Sequence, residues 1–312
     1  MIKKLITKLG LLDTYINYKQ GLMIKEHNLI ANLWREKIDA FNKGNITPPN
    51  LTAKHPELVG KKIIWQYWGQ GVKDYNELPE LILACFESVD RNKEDYIIIR
   101  LDNNTIKEYL DFPEFVYQKI SDGSYSLTHF SDLLRIALLA TYGGVWLDAT
   151  IYLTGALPEY LSNSDYFMYQ RSDDEPTWVR NYWKQSYYAY WSWNPCFKVR
   201  CLNSVIASKP RNRFISTLYT LLLDYWRTQP SINHYFTFQI LANELTATFK
   251  SDELCPIVSD VLPHLLGMSI GGNKPYLKPS EVYAQTTIHK FNSKAPNLNQ
   301  FIDYLWRQRT KY

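Results

Sequence analysis

Between Ser126 and Thr150 the chain alternates order and punctuation more sharply than anywhere else. Leu133, Leu134, Ala137, Leu138 and Ala140 recur at helical spacing, and Gly143 stands where a helix C-terminus needs a positive φ, so a helix ending near Tyr142 is predicted. Val145-Trp146-Leu147 is too short an apolar run for a helix and fits a central strand, with Asp148 at its carboxyl end. Upstream, residues 1–42 read as two helices broken near Gly21, and 45–56 as a proline-containing linker. Lys62 to Trp68 reads as a first strand, Leu78 to Asp90 as a helix and Tyr96 to Leu101 as a second strand, which together make a βαβ unit. Short helices are predicted over 105–110 and 114–120. Downstream follow extended runs at Ile151-Tyr-Leu153 and Tyr166 to Gln170, and a strand, proline turn and helix start over 203–214. A long amphipathic helix spans Phe214 to Trp226, another helix starts near His234, a strand-like run covers Val282 to Ala284, and a short helix begins at Phe301.

A chain of 312 residues buries a large core, and an alternation of strands and helices makes it an α/β protein. Ten Trp and 24 Tyr are a high aromatic load; flat rings suit sugar faces and membrane interfaces, but most are expected in the core. The dense run from Trp178 to Trp193 is read in the same way, as packing for most of its rings. The four cysteines lack metal-type spacing or paired histidines, which fits a reducing compartment. No apolar stretch approaches the roughly eighteen residues of a membrane span, and the basic start lacks the pattern of a secretory signal. The net charge of +4 is confined to residues 1–44, where eight Lys and Arg face four acids. A nucleic-acid surface is therefore not expected, whereas a basic helical segment suited either to an anionic membrane surface or to packing on the domain is.

Asp132 and Arg135 are three apart, hence on one helical face, and both interrupt an apolar surface. Alone, such a pair is an ordinary surface ion pair. Followed by Gly143-Gly144 and a strand that ends in Asp148, it marks the place where open α/β sheets bind ligands. Gly69-Gln-Gly71 follows the first strand, but Asp74 stands where a dinucleotide fingerprint needs glycine, so a dehydrogenase-type site is excluded. His234 sits among aromatic residues and is read as structural before it is read as a base.

Ser131-Asp-Leu-Leu-Arg135, followed by Tyr142-Gly-Gly-Val-Trp-Leu-Asp-Ala-Thr150, resembles the sugar-nucleotide signature of GT-A glycosyltransferases, in particular bacterial capsular polysaccharide synthesis proteins and glycosyltransferase family 32. The departure is Thr150, where those families carry the second aspartate of Asp-x-Asp. The resemblance implies a GT-A, Rossmann-like sheet flanked by helices over residues 59–295, preceded by the helical segment 1–44 and linker 45–58 and followed by a basic-aromatic helix over 296–312. It implies that Asp132, Arg135 and Asp148 are catalytic, and that Trp68 stacks on the donor's base, burial as core being the competing reading. It also implies that Asn203 reaches the donor sugar and that His289, Lys290 and Lys294 close over the diphosphate. Either Mn²⁺ or Mg²⁺ would be held weakly by Asp148, Thr150 and His289, or Lys290 and Lys294 would take over the metal's role.

By the same resemblance, the activity is retaining transfer of galactose or glucose from a UDP-sugar donor to an undecaprenyl-diphosphate-linked sugar acceptor. The location it implies is cytoplasmic, peripheral at the inner face of the cell membrane. A sugar-nucleotide-binding protein without turnover is the alternative that Thr150 leaves open.

Overall fold

The computed structural model describes residues 11–309 apart from 233 and 273. Helix α1, Leu12–Asn42, leads into β1, Ile63–Tyr67; then come α2, Glu80–Asn92, and β2, Ile97–Leu101. The short helices α3, Ile106–Tyr109, and α4, Glu114–Ser121, precede α5, Leu127–Tyr142, which runs into β3, Gly144–Leu147, and β4, Ile151–Leu153. Helix α6, Tyr160–Asn163, strand β5, Tyr166–Gln170, helix α7, Thr177–Ser186, and strand β6, Cys201–Ser208, follow. The remainder comprises α8, Arg213–Thr228; α9, Thr237–Thr246; α10, Leu265–Gly271; α11, Pro279–Tyr283; β7, Ile288–Lys290; and α12, Leu298–Arg309.

The result is a mixed α/β fold around a five-stranded sheet of order β2-β1-β3-β6-β5. Strands β1, β2 and β3 are parallel, and β6 runs antiparallel to both β3 and β5. The run Ile63-Ile-Trp-Gln-Tyr67 is buried throughout, as a strand covered on both faces requires. A second sheet of two strands pairs β4 with β7. No described helix is long and apolar enough to cross a membrane.

Helix α5 is capped by the Ser126 side chain, which accepts from the His129 N–H, and it stops at Gly143 with φ +77°. Gly144 follows at φ +99°, and a Cβ there would lie 2.6 Å from the Ile63 carbonyl oxygen. The glycine pair thus lets a buried helix turn at once into a strand laid against β1.

Two expectations are corrected. The first is the break at Gly21: α1 is one continuous helix, because a single interior glycine costs only about 1 kcal/mol and neighbouring Gln20 donates to the carbonyls of Tyr188 and Trp191. Second, Val282 and Tyr283 lie in helix α11, and the strand of that region is β7. Helix α1 packs on the body of the protein: Trp34 is fully buried, donates to the Thr237 carbonyl at 3.1 Å and packs on Tyr225. Residues 1–10 of the basic segment, including Lys3, Lys4 and Lys8, and residues 310–312 at the other end lie outside the described residues.

The aromatic run is divided between core and surface, with Trp178 and Tyr187 exposed. Trp183, Tyr190 and Trp191 are buried, and Tyr190, Trp191 and Trp193 surround the buried Arg171–Asp260 ion pair.

Candidate functional site

The carboxyl ends of parallel β1, β2 and β3 meet on one edge of the sheet, and Trp68, Asp102 and Asp148 are the residues that directly follow them. This is the edge at which open α/β sheets take ligands. Asp102 is spent on the backbone, accepting from the N–H groups of Asn104 and Thr105. Trp68 is half-buried and packs with Leu78, Ile82, Phe86 and Ala149, so it borders the site and also closes a small apolar cluster.

At the centre, α5 presents Asp132 and Arg135 side by side, and both are almost wholly buried. Arg135 Nη1 pairs with Asp132 Oδ1, while Nη2 donates to Ser131 Oγ at 2.9 Å and to Asp148 Oδ1 at 3.1 Å. Its guanidinium also lies over the Trp146 ring. Trp146 Nε1 donates to Asp148 Oδ1 at 2.8 Å. From β6, Asn203 Nδ2 donates to Asp132 Oδ1 at 2.8 Å. From β7, Lys290 Nζ bridges Asp148 Oδ2 at 3.0 Å and Thr150 Oγ1 at 2.5 Å. Every oxygen of the Asp148 carboxylate is therefore bound to a cation. Asp132 keeps Oδ2 without a hydrogen bond among the described residues.

These surroundings drive the two acids apart. Burial raises the Asp132 pKa to about 6, outweighing Arg135 and the Asn203 hydrogen bond, which oppose it; the Asp148 charge adds to the rise. Burial also acts to raise Asp148, but Lys290 and Arg135, with hydrogen bonds from Trp146 and Ser204, hold it well below the usual carboxylate range. One site thus holds a permanently ionised acid beside one that titrates near neutrality.

Asp132, Arg135, Asp148, Thr150, Asn203 and Lys290 come together, and His289 and Lys294 do not join them. Successive strand residues face opposite sides, so if Lys290 points at Asp148 its neighbour points away. His289 is fully buried, hydrogen-bonded to the Thr154 hydroxyl at 2.9 Å, and pushed down to about 3 by burial. Lys294 lies exposed on the turn after β7. The ligand set Asp148, Thr150 and His289 therefore does not assemble, and among the described residues no three of His, Cys, Asp and Glu form a metal-binding group. The donors present do not fit a divalent ion; the ammonium of Lys290 lies between the two residues of the Asp-x-Thr motif.

Tyr235 escapes a reading of the sequence. It is exposed, its ring meets that of His129 at 6.5 Å one turn before Asp132, and the charges of Asp132, Asp148 and Arg135 all reach its hydroxyl. No motif marks it, because it lies about a hundred residues downstream in the connection ahead of α9. His234 beside it is structural: its Nδ1 accepts the Phe236 N–H and its ring packs on His27.

Comparison with known proteins agrees with the resemblance to capsular polysaccharide synthesis proteins. Over 112 residues the chain is 30% identical to O-glycosyltransferase braB of Annulohypoxylon truncatum; the match takes in 33% of this chain and 26% of that protein, about a quarter of its length. The solved structure of PaToxG Glycosyltransferase is similar at a TM-score of 0.37 and 13% identity, over 88% of this chain and 96% of that one, too slight a likeness to assign a fold. The pattern of one family spans almost everything described above, from the first helix to the last: the chain belongs to the capsular polysaccharide synthesis proteins, which it matches over residues 15–305.

Proposed function

We propose that the protein is a retaining glycosyltransferase with a GT-A sheet. It moves galactose or glucose from a UDP-sugar to an undecaprenyl-diphosphate-linked oligosaccharide during capsule repeat-unit synthesis. The observation that carries this reading is the buried network Asp132–Arg135–Asp148–Lys290 at the carboxyl edge of the parallel strands. Such transfer breaks the bond between the anomeric carbon and the diphosphate oxygen, and charge builds up on the leaving group. Fixed cations held in a partly buried site stabilise that charge far better than they would in water. Arg135 and Lys290 are those cations, and Asp148 keeps both in place. Asp132 Oδ2 accepts a hydroxyl of the donor. The acceptor oxygen bonds to the anomeric carbon on the face the diphosphate leaves, and its proton passes to the departing phosphate. Trp68 offers a ring face to uracil at the border of the site.

Donor hydrolysis tests the reading without any acceptor. Purified protein is expected to release UDP slowly from UDP-galactose or UDP-glucose, and Asp132→Asn and Asp148→Asn are each expected to bring release to background with an unchanged circular dichroism spectrum. Folded variants with near-normal release would place the chemistry elsewhere. Donor binding by the wild type without any release would make the protein a sugar-nucleotide binder.

A further inference from the structure

Most aromatic side chains of this protein are packed, but Tyr18, Trp178, Tyr187 and Tyr235 are exposed among the described residues. Tyr18 lies on α1, and Trp178 on α7 meets Tyr276 at 5.0 Å. Tyr187 and Tyr235, 53% and 62% exposed, stand at the site instead. The Tyr235 ring meets that of His129 at 6.5 Å, and His129 precedes Asp132 by one turn of α5. Tyr235 packs on Phe236 at 5.0 Å, Phe236 meets Tyr190 at 6.0 Å, and the Tyr190 N–H donates to the Tyr187 carbonyl at 3.1 Å. The hydroxyl of Tyr235 is reached by the charges of Asp132, Asp148 and Arg135, and it interacts with Tyr187.

Sheet order says what meets these rings. Trp68 follows β1, Asp148 follows β3 and Asn203 lies in β6, and the three strands are neighbours in that order. A donor with its base on Trp68 and its sugar at Asp132 and Asn203 is therefore laid across the edge from β1 toward β6. Tyr235 leads into α9, which packs on β6, and Tyr187 stands in the connection that enters β6. This puts both rings past the sugar, at the end away from the base, where an acceptor must approach the anomeric carbon. We infer that Tyr187 and Tyr235 form an acceptor subsite that holds the ring face of a hexopyranoside. The inference rests on the proposed function for the direction in which the donor lies. A pyranose offers a C–H face to a flat ring and a rim of hydroxyls to polar neighbours. Here two tyrosines stand beside Asp132, Asp148 and Arg135, and the buried His129 Nε2 has no hydrogen bond among the described residues. A lipid chain in the same place would leave those polar groups without partners, which costs free energy.

The test uses the full chain and the methyl glycosides of glucose, galactose and N-acetylglucosamine as probes. In saturation-transfer NMR with the aromatic protons irradiated, the wild type is expected to pass saturation to the pyranose C–H protons of at least one glycoside. Tyr187→Ala/Tyr235→Ala is expected to bind that glycoside about tenfold more weakly, the loss of two ring contacts. Tyr187→Phe/Tyr235→Phe, which keeps the rings, should retain it. Because both side chains face solvent, the melting temperature should not move. With UDP-galactose or UDP-glucose added, the ratio of sugar placed on the glycoside to free hexose should fall by the same factor in the alanine variant and hold in the phenylalanine variant. Equal binding by the alanine variant, or no binding of any of the three glycosides by the wild type, overturns the inference. So does a phenylalanine variant that loses as much as the alanine one. Tyrosine-dependent glycoside binding by a protein that never releases UDP would keep the sugar platform and discard the proposed activity. UDP release without such binding would do the reverse, so the two fail separately.

Discussion

Asp132 is an acid whose ionisation is nearly balanced. Burial favours its neutral form, and Arg135 with the Asn203 amide favours the charge, leaving a pKa of about 6. If the carboxylate is the working form, donor hydrolysis falls as pH drops through about 6, because the proton then occupies the group that must accept the sugar hydroxyl. Asn203→Ala removes a hydrogen bond made to the charged form, so the limb is expected to move to higher pH by about one unit. A pH–rate profile of UDP release for wild type and Asn203→Ala checks this; an unmoved limb would separate Asp132 from the titration. The acids themselves were legible in the sequence, because helical period puts Asp132 beside Arg135 and a strand end exposes Asp148. What burial does to them was not, since it depends on side chains far along the chain. Tyr235 shows the same limit: its neighbours at the site are a hundred residues away.

Two glycines illustrate how elements constrain sequence. Gly144 opens β3 at φ +99° with the Ile63 carbonyl oxygen where a Cβ would be, so Gly144→Ala adds strain of about 1–3 kcal/mol and a clash with backbone that cannot yield. Gly21 lies inside α1 with nothing within 4 Å of an added Cβ. Gly21→Ala is therefore expected to stabilise by about 0.5–1 kcal/mol. Denaturant unfolding of the two variants should give opposite signs, and a stabilising Gly144→Ala would contradict the α5–β3 junction. A helix break was expected at Gly21 as well as at 143–144, and only the pair at 143–144 ends a helix. There, a periodic apolar run stops at the glycine and an apolar strand follows, whereas on both sides of Gly21 the buried positions Ile16, Gln20, His27 and Ala31 keep helical spacing. Strand alternation accounts for another miss. His289 and Lys290 are adjacent, and only the pairing of β7 with β4 shows that the lysine, not the histidine, faces the acids.

At the scale of the whole molecule the site is closed by a residue from near its far end. Strand β4 follows directly from the Asp148–Thr150 turn, and β7 pairs with it so that Lys290 lies opposite Ile151. The two-stranded sheet therefore works as a latch that delivers an ammonium to the start of β4. In a site with two acids that position suits a divalent cation; here Thr150 removes one negative charge and Lys290 brings a positive one. Lys290→Ala is expected to lower UDP release by about a hundredfold, as losing one charge stabiliser does. Adding Mn²⁺ should restore little, because Asp148 and Thr150 alone hold a hard cation poorly. Restoring the second acid in the same background, Lys290→Ala/Thr150→Asp, vacates the cation position and surrounds it with two carboxylates. Its release is expected to rise with Mn²⁺ and collapse with chelator, while the wild type changes little with either. The titration of all three proteins with Mn²⁺ decides the matter. A wild type that loses activity in chelator while Lys290→Ala keeps it would mean that the lysine is only a structural tie between the two sheets, and that the leaving charge is neutralised by other means.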